Sequence, residues 1–117
     1  MDRLKTTNGK AFEILLALAS AKETGRLGFA IAKQRRLIEA ELTEFITIRN
    51  NAISSNSADG MLTADGAAAA NAEIAGYLDM PCEFPVYSVS FDVFTGGDLA
   101  SDQMYLLDFM VEAQDGE

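Results

Sequence analysis

Between Arg26 and Ile53, the residues Leu27, Ile31, Ile38, Leu42, Phe45 and Ile48 recur at steps of three, four or seven. That spacing lays them along one stripe of an α-helix. Gln34 takes the stripe position between Ile31 and Ile38. No glycine or proline follows Gly28 in this stretch, so one uninterrupted helix is predicted. Such a helix would be roughly 40 Å long. A chain of 117 residues cannot bury it on every side, so one face must stay in water or meet a partner.

The remaining elements are arranged around that helix. Thr6-Thr7-Asn8-Gly9 offers N-caps to a first helix over Ala11–Ala21, with Phe12, Leu15, Leu16 and Ala19 on its core face. Gly25 is placed to end it in a left-handed conformation or to open the turn that follows. The short connection predicts an antiparallel helical hairpin over 8–53. Residues 54–80 hold a loop, a tight Asp59-Gly60 turn, a brief strand at Met61–Thr63 and a third, alanine-rich helix over Ala67–Leu78. Thr63 or Asp65 caps that helix; Ile74, Tyr77 and Leu78 anchor it, and its alanines suit close helix approach. Residues 82–113 read as a strand and a C-terminal helix. Tyr87, Val89, Phe91 and Val93 alternate with Ser88, Ser90 and Asp92, which predicts a half-buried strand over 87–94. Phe84 and Val86 have the opposite parity, so the chain must bend near Pro85–Tyr87. Ser101 is expected to cap the last helix, with Met104, Leu107, Met110 and Val111 on its buried side. The tail Asp115-Gly116-Glu117 is expected to fray. The predicted fold is a single, mainly helical α+β domain: a hairpin, two further helices and a minimal β-sheet.

The charge is unevenly spread. All nine Lys and Arg lie at or before Arg49, where six acids leave a balance of +3. From Asn50 onward there are twelve acids and no base. Such an imbalance produces a directional field. Within the C-terminal half, Asp92, Asp98, Asp102, Asp108 and Glu112 are the candidate partner-binding residues. The competing reading is an acidic surface that serves only solubility. Direct nucleic-acid binding is not expected, because the basic footprint it requires is missing. Lys33, Arg35, Arg36, Glu39, Glu41 and Glu44 lie mostly off the apolar stripe and read as a solvated face.

The inventory of reactive groups is short. There is no histidine, which removes the commonest general base and metal ligand. Cys82 is the only cysteine, so an intrachain disulfide is impossible, and it reads as a small apolar residue. Ser54–Gly60 has side-chain oxygens and a glycine, but counting Gly60 as sixth puts Ser55 first and Gly66 twelfth, where a calcium loop requires acids. Gly96-Gly97 lacks the lysine and the pattern of a phosphate loop. No enzyme, cofactor or metal site is expected. No apolar run is long enough for a membrane span, and MDRLKTTNGK lacks the apolar core of a signal peptide, so a cytoplasmic protein is expected.

The chain resembles a family of short bacteriophage and prophage proteins of unassigned function. The residues that carry the resemblance are Asn8-Gly9, Ile31-Ala32-Lys33, Ile38-Glu39-Ala40-Glu41-Leu42, Phe45, Arg49, Asn50 and Leu107-Asp108-Phe109-Met110. Residues 67–78 depart from it, being alanine-rich where longer, charged side chains are usual. The resemblance implies a phage protein acting in the host bacterial cytoplasm or the virion. Two functions follow. One is a binding protein that inhibits a host defence factor, such as a CRISPR nuclease, through its acidic half. The other is a virion or assembly protein, for tail assembly or head completion, working as a homo-oligomer. The lone strand expected at 87–94 leaves its edges unpaired and points to a homodimer.

Overall fold

The computed structural model describes residues 2–112. The chain opens with strand β1 (Arg3–Thr7), which runs without a loop into helix α1 (Asn8–Ser20). The Thr7 hydroxyl accepts from the backbone N–H of Lys10 and satisfies one of the free donors at the helix start. Helix α2 (Gly25–Glu41) follows a four-residue connection, and Gly25 adopts the left-handed conformation at φ +66°.

The long helix exists, but bent. Helix α2 stops at Glu41 and helix α3 (Thr43–Ser55) begins two residues later, with Leu42 between them at φ −94° and ψ 6°. The hydrogen-bond ladder crosses the bend, since Leu42 donates to Ile38 and accepts from Ile46. The bend has a local cause in Thr43, whose Oγ1 donates back to the carbonyls of Glu39 and Ala40 and loosens the turn there. The bend leaves Leu42 with none of its surface exposed.

Helix α3 leads to a small ribbon, β2 (Ser57–Ala58) against β3 (Met61–Leu62). Asp59 and Gly60 both take positive φ, 52° and 76°, as a two-residue type I′ hairpin turn requires. Thr63 caps helix α4 (Ala64–Leu78), which starts three residues before the expected boundary. Helices α3 and α4 pack along each other, and Ala52 on the one and Ala70 and Ile74 on the other are buried. The alanines permit that close approach. The helical pair and its ribbon form an arm, and the molecule measures 54 × 27 × 21 Å.

The C-terminal part differs from the sequence reading. The strand here is β4 (Pro81–Pro85), paired antiparallel with β1 so that Thr7 faces Pro81 and Arg3 faces Pro85. Residues 87–94 are not a strand. The chain is extended through Val89, whose N–H donates to Met110 and whose carbonyl accepts from Glu112. Helix α5 (Phe91–Thr95) then begins, with the Ser90 hydroxyl accepting from the N–H of Val93. The alternation of Tyr87, Val89, Phe91 and Val93 is thus cut in half by a capped turn of helix. The last helix, α6 (Ser101–Leu107), is capped at Ala100 rather than Ser101, with Gln103 accepting from the Ala100 N–H. A single 3₁₀ turn over Asp108–Met110 takes the chain to Val111. The residues expected to fray lie outside the described range.

Helix α1 sits at the centre, against α2, α4, α6 and the β1–β4 ribbon. Its core residues are Ala11, Ile14, Leu15, Ala17 and Leu18. Of the face expected, only Leu15 is buried. Phe12 is half-buried against Phe45, Ala19 is exposed, and Leu16 is 55% exposed. A helix apolar on nearly every side gives no single stripe to read. Ile14, Leu18, Ile38, Leu42, Phe84, Leu107 and Met110 are the largest fully enclosed apolar side chains among the described residues.

Candidate functional site

The five acids singled out from the sequence are all exposed, and the fold divides them among different surfaces. Asp92 and Asp98 line one depression together with Glu23, where the Asp98 N–H donates to Glu23 Oε1. Asp102 lies in the first turn of α6. Asp108 borders a cleft between β1, α1 and α6, beside Lys5 and Lys10. Glu112 borders a third cleft, with Arg26, Phe29, Tyr87 and Val93. The five therefore do not form one patch; Asp92 and Asp98 are the pair brought together.

Pairing of charges follows the same division. Arg3 reaches Glu83 at 2.7 Å and Glu41 at 3.8 Å, Lys10 reaches Glu13 at 3.9 Å, and Arg35 reaches Glu39 at 2.8 Å. All four contacts are solvent-exposed and worth little individually. Among the described residues, Glu83 is the one acid beyond Asn50 that has a basic partner. The other described acids of that half are exposed and make no ion pair within 4 Å among the described residues.

The cleft at Phe29 has a mainly apolar lining and a volume of about 430 Å³. Phe29 is 63% exposed and meets Tyr87 edge to face at 5.9 Å between ring centroids. The backbone on this side of the cleft is fixed at three points. Tyr87 donates its N–H to Gln34 Oε1 at 2.7 Å, and Val89 is held on both of its backbone groups by Met110 and Glu112. Arg26 and Val93 belong both to this cleft and to the depression that holds Asp92 and Asp98, so the two surfaces are continuous. Sequence reasoning placed neither Phe29 nor Tyr87 at a surface site. The signal was the spacing of Arg26, Phe29, Lys33 and Arg36, which puts one ring among three cations on a single helical face.

Cys82 is buried in β4. Burial pushes its thiol above the ordinary range, and the nearby Glu41 carboxylate adds to the shift. A thiol so placed has little thiolate at neutral pH and is a poor nucleophile. Among the described residues no three His, Cys, Asp or Glu side chains are placed to hold a metal ion; Glu23, Asp92 and Asp98 share a depression without forming such a group. Among the described residues no helix is long and apolar enough to cross a membrane. Compared with protein-family models, with curated proteins and with solved structures, the chain matches none.

Proposed function

We propose that this chain is a non-catalytic, phage-encoded binding protein that engages a basic protein partner through its acidic C-terminal half, as an inhibitor of a host defence factor such as a CRISPR nuclease. The supporting observation is the excess of acid beyond Asn50: exposed carboxylates that, Glu83 apart, form no ion pair within 4 Å among the described residues. Fixed charges of one sign steer a basic partner and raise its association rate. Asp92 and Asp98 share one depression of that surface, with Glu23 of the N-terminal half on its rim. Capture from infected host lysate supplies the partner. The Asp92→Lys, Asp98→Lys, Asp102→Lys variant is then expected to associate more slowly and to lose much of its salt dependence. Equal rates for wild type and variant at low and high salt would remove this reading and leave a solubility surface.

The second reading is a virion or assembly protein. It is favoured by the elongated shape, 54 Å along its longest axis, and by an arm whose tip exposes Met61 and Leu62. A projecting arm with an apolar tip suits insertion into a neighbouring subunit. Deleting the side chains at Met61 and Leu62 would then block assembly and leave folding intact.

A further inference from the structure

The face of α2 that carries Phe29 has a charge order that is complementary to itself. From the N-terminal end it runs from the Glu23, Asp92 and Asp98 carboxylates, past Arg26, to Phe29 and Tyr87 with Glu112 at the cleft's edge, and on to Lys33 and Arg36. Arg26, Lys33 and Arg36 are exposed and have no acidic partner among the described residues. The acids lie beside residues 23–27, two to six positions before Phe29; Lys33 and Arg36 lie four and seven positions after it. Along the helix axis these offsets are similar, about 3–9 Å on one side and about 6–10 Å on the other.

We propose that this face is the interface of a homodimer in which two α2 helices pack antiparallel about a two-fold axis near Phe29. Rotation about that axis brings Lys33 and Arg36 of each copy onto the acid depression of the other, and the two Phe29 rings meet at the centre with Tyr87 beside them. An isologous contact needs a surface that complements itself in this way. A central aromatic flanked by arginines is also the composition of interface hot spots. The expected homodimer is thus moved from a strand edge to a helix face. The strand on which edge pairing depended is absent, and the Val89 backbone groups are already used. The inference stands apart from the acidic-surface reading, though the two share Asp92 and Asp98.

Sedimentation of the purified protein, with no partner added, tests the dimer. Wild type is expected to dimerise in the micromolar range at low salt and to dissociate as salt is raised. Phe29→Asp should weaken the dimer by about tenfold or more, with an unchanged circular dichroism spectrum because the residue is exposed. Lys33→Glu with Arg36→Glu makes every interface charge cluster acidic; Asp92→Lys with Asp98→Lys makes every one basic. Each double variant alone should sediment as a monomer, and an equimolar mixture should recover a dimer. A wild type that stays at 12.6 kDa at low salt overturns the proposal. A dimer indifferent to Phe29→Asp, or two variants that fail to recombine, overturns it equally by locating the contact elsewhere. Partner association is a separate measurement, so loss of the dimer leaves the acidic-surface reading standing.

Discussion

Gln34 and Tyr87, far apart in the chain, are joined by a 2.7 Å hydrogen bond from the Tyr87 backbone N–H to Gln34 Oε1. The same amide donates Nε2 to the Pro85 carbonyl at 2.9 Å, so both of its ends are used with none of the residue exposed. The one polar position in the apolar stripe of α2 is therefore a clamp. It holds the chain where it leaves β4 and turns into the Phe29 cleft. Gln34→Leu keeps the volume but strands a buried donor and a buried acceptor. Urea unfolding should show a loss of about 2–4 kcal/mol. A loss under about 0.5 kcal/mol would mean that water or a shifted backbone replaces the amide.

Two leucines separate what periodicity reveals from what it does not. Leu42 lies at the α2–α3 bend with no surface exposed, and Leu42→Ala should cost about 2–5 kcal/mol. Leu16 is 55% exposed on α1, and Leu16→Ala should stay within about 0.5 kcal/mol of wild type. Chemical denaturation of both checks the assignment. Similar losses at the two sites would mean that α1 presents the face predicted from the sequence.

That contrast bears on how much of the fold is legible. The stripe from Leu27 to Phe45 identified helical structure, because one side of it is charged, but nothing in it marked the break at Leu42 that divides the stretch into α2 and α3. In α1, apolar residues at 14 to 19 run without interruption, and the choice of face depends on which neighbours arrive later in the chain. Strand β1 was missed for a similar reason: Arg-Leu-Lys-Thr-Thr carries little β signal, and its partner lies almost eighty residues away. Helix α5 was legible in part. Ser90 and Asp92 are a helix cap and a first-turn acid, but the alternation around them is the louder pattern. As for the site, the acids were visible in composition, yet only the fold shows that Asp92 and Asp98 share a depression while Asp108 sits beside lysines.

Cys82 gives a prediction with a definite pH sense. Its thiol is held above the ordinary range by burial and then by Glu41, so the folded state favours the neutral form. The resulting stability is complete below the unfolded thiol pKa and is lost as pH rises through the folded value. Stability should therefore fall in alkaline solution, and Cys82→Ala should shrink that part of the fall. Native protein should react with a thiol reagent far more slowly than denatured protein at neutral pH. Rapid native labelling would show that β4 opens readily.

The arm can be tested through its glycines. A Cβ at Gly66 would collide with the carbonyl oxygen of Asn56, a backbone atom that cannot turn aside. The first turn of α4 and the end of α3 approach each other at that point, next to the Thr63 cap. Gly66→Ala must push them apart, and a loss of at least about 1–3 kcal/mol is expected. Gly76 lies in the same helix with nothing near its absent Cβ. Gly76→Ala should therefore add about 0.5–1 kcal/mol through helix propensity alone. Opposite signs for the two substitutions in thermal or urea unfolding would place the packing of the arm at Gly66. A neutral Gly66→Ala would show that α3 and α4 do not approach closely in solution, and the arm would then be two independent helices rather than one rigid projection.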